Sequence, residues 1–414
     1  MVRPGYKQTE IGVIPEDWDV VSLNSLSIGG MQNGVFYEVD RKGSGVSFLN
    51  VGDLYGDTPI RSSALQKFNA TRNEIERFKI NSGDLFFTRS SIVPSGIAYC
   101  NWYYGSDEEV TVFDSHVVRF KTNLNKVVPM YLFLQCISPS SRKYFIANSK
   151  TATMTTIDQT VLGECPIALP LKKEQEKIAQ TISDIDYLIT NLEKKLSKKK
   201  AIKQGAMQEL LTGKRRLPGF NGEWCDLEIG KNGYLLRESI DPQAHPNVMF
   251  SEYSMPAFDD GQMAVKKYGA DMHSNRTAIY GTVLLFNKLN VRQKRIWLVN
   301  AMENHSVCSS EFLPYYSETI DLRLLQQLLS TEKITNDFIG MSTGTSNSQK
   351  RITPKNFLEY TVYVPRDINE QAAIADILAD MDSEISQLQQ TLEKYRLIKQ
   401  GMMSELLTGR IRLV

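Results

Sequence analysis

The chain has 414 residues, 42% of them apolar, and a formal net charge of +1. That length holds two or three domains, and the composition is that of an ordinary globular protein rather than a disordered one. No stretch approaches the roughly 18 uninterrupted apolar residues of a membrane span. The opening residues Met1 to Lys7 carry no apolar signal core, so no leader and no membrane are expected. Five scattered cysteines (Cys100, Cys136, Cys165, Cys225, Cys308) without a CxxC pair fit a reducing cytoplasm and argue against a disulfide frame. Four distant histidines (His116, His245, His273, His305) give no metal-ligand spacing, so no metal is expected.

In chain order, the first segment, about residues 1–169, mixes short β-like runs with helical ones. Trp18 follows an acidic pair and is expected to anchor a core. Gly83-Asp84-Leu85-Phe86-Phe87 reads as a turn feeding a buried strand. Val110 to Phe113 and Val117 to Phe120 read as further strands, and Met130 to Ile137 as a helix. The segment closes from Ile157 through an apolar strand to Pro170.

A long helix follows. Its apolar residues Ile178, Ile182, Ile185, Ile189, Leu192 and Leu196 are spaced 4-3-4-3-4, the a/d seam of a heptad. Pro170 stands just upstream and Gly213 where a helix would stop. The stretch Lys172 to Arg216 holds twelve Lys or Arg against six Asp or Glu.

The second segment, 218–365, repeats the layout. Trp224 again follows an acidic residue, Gly281 to Phe286 again reads as a turn and buried strand, and Ile352 to Pro365 again ends in a strand and proline. Asp321 to Leu329 reads as helix and Tyr360 to Val364 as strand. A second heptad helix then runs through Ile374, Leu378, Met381, Ile385, Leu388 and Leu392 to Gly409.

The two helical stretches are copies. Glu174 to Leu217 aligns with Glu370 to Leu413 at a constant offset of 196 without a gap, and 22 of the 44 positions are identical. Chance does not supply that, so one unit has been duplicated. The cheapest way to bury two such seams is against each other within one molecule. With a whole domain between the helices, two-fold symmetry of the repeat predicts an antiparallel pair with the domains at opposite ends. The fold class expected is therefore two mixed α/β domains plus two long antiparallel helices in an intramolecular coiled coil. Its boundaries are 1–169, 170–217, 218–365 and 366–414, and the twelve apolar residues named above form the helix interface. A scaffold that merely spaces two protein-binding domains would share this layout.

Several residues sharpen the picture. Thr9-Glu10-Ile11-Gly12-Val13-Ile14-Pro15-Glu16-Asp17-Trp18 and Leu217-Pro218-Gly219-Phe220, with Gly222-Glu223-Trp224, resemble the domain openings of the specificity subunits of type I restriction–modification systems. The helix pieces Glu174-Gln175, Ile178-Ala179, Lys203-Gln204-Gly205 and Glu209-Leu210-Leu211-Thr212-Gly213, all recurring in the second copy, resemble that family's spacer helix. The resemblance spans the whole chain. It implies that each domain is a target-recognition domain reading one half of a split site in double-stranded DNA, and that the helices set the gap. It also implies docking of two methyltransferase subunits and of motor-nuclease subunits.

No chemistry of its own is expected. There is no Pro-Pro pair for an adenine methyltransferase loop. Gly340 to Thr345 lacks the Lys-Ser/Thr of a phosphate loop. No cofactor and no catalytic residue are assigned. For DNA contact, cations suit phosphates, and hydroxyls and amides suit base edges. The candidates form two pairs of loops. Before the closing strands lie Lys150, Thr151, Thr153 and Thr155 in the first domain, matched by Thr345, Ser346, Asn347, Gln349, Lys350 and Arg351 in the second. After the buried strands lie Arg89 and Ser90, matched by Asn287, Lys288, Arg292 and Lys294. Arg41-Lys42 is a weaker candidate. The Lys194 to Lys203 run is read as a solvated helix face.

Overall fold

The structure is a computed structural model, and it describes residues 3–36, 38–56, 58–106, 109–344 and 349–413. The chain divides into two compact units, Met1–Leu192 with Thr391–Val414, and Glu193–Gln390. Each unit is one globular segment, the start of the long helix that follows it and the far end of the other long helix.

The first unit is built on a four-stranded antiparallel sheet in the order Ser27–Asn33, Val117–Thr122, Leu85–Thr88, Cys100–Trp102. The strand Leu85–Thr88 is buried throughout because both its faces are covered. Phe87 packs with Trp18, Tyr131 and Phe145, while Phe86 points the other way into a cluster with Leu49, Tyr103 and Phe113, as the two-residue period of a strand requires. Thr111–Phe113 pairs parallel with Lys42–Leu49, which pairs antiparallel with Gln66–Phe68. The helix Pro129–Ile137 starts on its proline, where the missing N–H costs nothing. The closing strand Pro166–Leu169 returns to pair with Asp19–Ser22. Trp18, at the entry to that strand, is fully buried as expected.

The second unit repeats the plan. Its four-stranded sheet runs Tyr234–Leu235, Phe312–Tyr316, Gly281–Asn287, Ile296–Ala301, beside a five-stranded sheet centred on Ser306–Ser309. Thr361–Pro365 closes on Trp224–Glu228. The helix Leu322–Leu329 falls where its apolar period placed it. Trp224 is half-buried at the start of its strand and packs against the core of this unit, and among the described residues its Nε1 has no hydrogen-bond partner.

The long helices are Lys172–Leu210 and Ile368–Leu406, 39 residues each. They stop where Gly213 and Gly409 take φ +71° and +67°, a left-handed turn that glycine adopts without a Cβ penalty. A Cβ on Gly409 would also lie 2.5 Å from Pro15. Within each unit the two helix segments run antiparallel. In the first, Lys399 pairs with Asp186 at 2.5 Å and Arg412 with Glu174 at 2.7 Å. In the second, Lys203 pairs with Asp382 at 2.6 Å and Arg216 with Glu370 at 2.7 Å. The residues of these pairs differ by the same 196 positions, so the duplication extends to contacts.

The predicted seam is not covered evenly. Ile178, Ile182, Ile185, Ile374, Leu378, Ile385 and Leu392 are buried, but Ile189, Leu192, Leu196, Met381 and Leu388 are only half-buried. The helices bury their seam best where a domain also packs on it.

Candidate nucleic-acid interface

The foot of each long helix is held by an adjacent glutamate and glutamine. Gln175 accepts from the Val128 N–H at 2.9 Å and donates to the Pro170 carbonyl at 2.9 Å and the Lys126 carbonyl at 3.4 Å. Gln371 accepts from the Asp321 N–H at 2.9 Å and donates to the Pro365 carbonyl at 2.8 Å and the Thr319 carbonyl at 3.4 Å. Glu174 and Glu370 are buried, each gripped by the arginine of the other helix's tail. Arg412 also donates to Asp17, and that hydrogen bond holds the Asp17 carboxyl below its ordinary range. Glu174, Gln175 and their copies recur, but their clamping role was not legible from sequence, because all their partners except Pro170 and Pro365 lie about 50 to 240 positions away.

On each domain the two predicted loops come together. In the first unit the buried strand ends at Thr88, and Arg89 leaves it exposed. Ser90–Ser91 pairs with Thr155–Thr156, which turns back on Lys150–Thr151. The result is a small three-stranded sheet, tied down where the Ile157 N–H donates to the Arg89 carbonyl at 3.3 Å. Lys150, Thr151 and Thr153 are exposed on it and Ser90 is half-buried.

In the second unit the Ile352 N–H donates to the Lys288 carbonyl at 3.0 Å, the counterpart of that tie. The Asn290 N–H donates to the Lys350 carbonyl at 2.8 Å, and Arg351 bridges to both Leu289 and Thr343. Asn290 and Lys294 take φ +50° and +48° and bracket the turn that projects Arg292 into solvent. Gln349 is exposed and Lys350 half-buried. Thr345, Ser346 and Asn347 lie outside the described residues.

The structure corrects individual candidates. Thr155 is fully buried, its Oγ1 3.2 Å from that of Thr151, so it supports the ledge and does not face outward. Asn287 is 3% exposed and its Oδ1 caps the following turn by accepting from the Leu289 N–H at 2.7 Å; among the described residues its Nδ2 has no partner. Lys294 is ion-paired with Glu332 at 2.5 Å. Arg351 is paired with Glu311 at 3.0 Å, and the hydrogen bond raises its pKa. Arg41 is engaged by Glu74 and by the Asn69 carbonyl, with its guanidinium over the Phe68 ring, and so belongs to the fold. Among the described residues no cluster of three or more His, Cys, Asp or Glu could hold a metal, and no helix is long and apolar enough to cross a membrane.

Two domains, each with a polar and cationic ledge where the segment after the central strand meets the segment before the closing strand, and each followed by a copy of the same helix, define a class of proteins with twin recognition modules. Residues 15–204 match the model of the type I restriction modification DNA specificity domain. The chain is 25% identical to a putative type I restriction enzyme MjaX specificity subunit from Methanocaldococcus jannaschii, over 98% of this chain and 96% of that one. It is 23% identical to the EcoBI specificity subunit of Escherichia coli over 51% of this chain and 43% of that one. The fold is similar to the crystal structure of the S subunit of the type I restriction–modification system from M. genitalium, with a TM-score of 0.58 at 13% identity, covering 94% and 96% of the two chains. It is also similar to a chain from a structural study of complex assembly and conformational transition of the type I R-M system, with a TM-score of 0.52 at 13% identity, covering 96% and 99%. Along its whole length the chain is thus similar to the specificity subunits of type I restriction–modification systems, and over residues 15–204 it matches their DNA specificity domain.

Proposed function

We propose that the chain is the non-catalytic DNA-specificity subunit of a type I restriction–modification complex, with recognition domains at 1–169 and 218–365 and spacer helices at 170–217 and 366–414. Each domain reads one half of a bipartite site in double-stranded DNA, and the helices set the unread gap between the halves. The observation that carries this reading is the equivalent ledge in both units, Arg89 with Lys150 in one and Lys288 with Lys350 in the other. Cations there suit phosphate oxygens, and the neighbouring Ser, Thr and Gln side chains suit base edges. The methyltransferase subunits dock along the helices, where Tyr187, Leu397 and Ile202 are 72%, 60% and 47% exposed. Motor-nuclease subunits join for cleavage, and the assembly works in the cytoplasm.

The test lengthens the ruler. One heptad inserted at the midpoint of each long helix adds about 10 Å, the rise of about three base pairs. Mapping methylated adenines genome-wide with this variant should show the same two half-sites with the gap longer by about three base pairs. An unchanged gap overturns the reading. A spacer of protein-binding domains would show no steep fall of duplex affinity with salt, whereas phosphate contacts require one.

A further inference from the structure

On the first unit's ledge, Ser90–Ser91 runs directly into Ile92 and Val93, which are 85% and 53% exposed. The register Thr156 to Ser90 and Thr155 to Ser91 leaves Met154 and Ile92 each one residue beyond the paired positions, at the same end of the sheet, and Met154 is 44% exposed. A single exposed apolar side chain is ordinary on a protein surface. Here three leave the same end of a sheet whose other exposed side chains include Arg89, Lys150, Thr151 and Thr153.

The segment behind them is held in place. Arg142 donates to the carbonyls of Ser95, Ile97 and Ala98 at 2.9, 2.6 and 2.8 Å. The chain that leaves Ile92 and Val93 is therefore tied down within two to five residues.

A two-stranded ribbon such as Lys150–Thr156 fits the major groove of B-form DNA, and the one apolar group displayed there is the 5-methyl group of thymine. A cationic and hydroxyl-rich surround matches the phosphates and base edges on either side of such a methyl. An apolar protein surface would leave those groups unpaired. We propose that Ile92, with Met154 beside it, receives the 5-methyl group of a thymine in the half-site read by the first domain. This inference rests on the reading of the ledge as the DNA-facing surface.

The experiment uses the chain in complex with its methyltransferase subunits and duplexes carrying the target mapped from the methylome. Each thymine of both half-sites is replaced in turn by deoxyuridine, which removes only the methyl. One position in one half-site should weaken binding about four-fold, the value of one buried methyl. The double variant Ile92→Ser, Met154→Gln should bind the thymine and deoxyuridine duplexes equally at that position. No methyl-sensitive position, or full sensitivity retained in the double variant, overturns the inference. Lys150→Ala separates the two levels of the argument. It should lower affinity for all duplexes alike and reduce the salt slope by about one. If it does so without any methyl sensitivity, only the thymine contact fails. If it changes nothing, the ledge does not face DNA and both readings fail.

Discussion

Replacing Gln371 with Leu tests the clamp at the foot of the second long helix. Leucine keeps most of the volume but leaves the Asp321 N–H and the Pro365 carbonyl without the partners they have at 2.9 and 2.8 Å. A buried group orphaned in this way costs about 1–3 kcal/mol. Gln371 is fully buried, the Pro365 bond is buried and the Asp321 bond partly so. The third bond, at 3.4 Å to the Thr319 carbonyl, is long enough to count for little. The expected loss is about 2–4 kcal/mol. Gln175 makes the matching three bonds within 0.1 Å of those lengths, so Gln175→Leu should cost the same within about 1 kcal/mol. Urea unfolding followed by tryptophan fluorescence reads both variants, with Trp18 and Trp102 in one unit and Trp224 and Trp297 in the other. A loss below about 1 kcal/mol in both variants, or in one of them alone, would refute the argument that the two clamps are equivalent and that each anchors its helix.

Other perturbations address separate parts of the molecule. Burial raises the pKa of the Glu252 carboxyl, but hydrogen bonds from Lys267 and Arg276 outweigh it and leave the group below its ordinary range. A depressed folded-state pKa stabilises above the unfolded value and is lost as pH falls. The second unit should therefore weaken as pH drops through and below the ordinary carboxylate range, and Glu252→Gln should flatten that limb of the stability–pH curve. Leu378 is fully buried and Leu388 half-buried. Leu378→Ala should cost about 2–5 kcal/mol and Leu388→Ala clearly less in the same denaturation assay; equal losses would mean the seam packs uniformly. Lys288→Ala with Lys350→Ala should weaken binding at one half-site and spare the other, measured with duplexes mutated in each half separately. Loss at both halves would contradict the assignment of one domain to one half-site.

The parts of this architecture that sequence made legible are those written locally. The heptad spacing, the flanking Pro170 and Pro365, and the gapless repeat located both long helices and their ends to within two or three residues. The runs Leu85 to Phe87 and Val283 to Leu285 marked the buried central strands because an apolar run on both faces has no other home. What stayed hidden depends on partners distant in sequence. Thr155 and Asn287 carry polar side chains suited to a base edge, yet the strand register turns one inward and a turn closes over the other. Arg41, Lys294 and Arg351 look like free cations until Glu74, Glu332 and Glu311 are brought beside them. Glu174-Gln175 and Glu370-Gln371 stood out as repeated, but only the folded chain shows what they hold.

Because residues 391–414 belong to the same unit as residues 1–192, the core around Trp18 and Phe145 is closed partly by Leu406 and Leu407. The second unit is one continuous stretch, whereas the first must wait for the tail. During synthesis, then, the segment made second can finish folding first. The earlier one stays an open, chaperone-accessible intermediate until the ribosome has delivered the last turn of the second helix, and a nascent chain stalled before that point should expose it to protease.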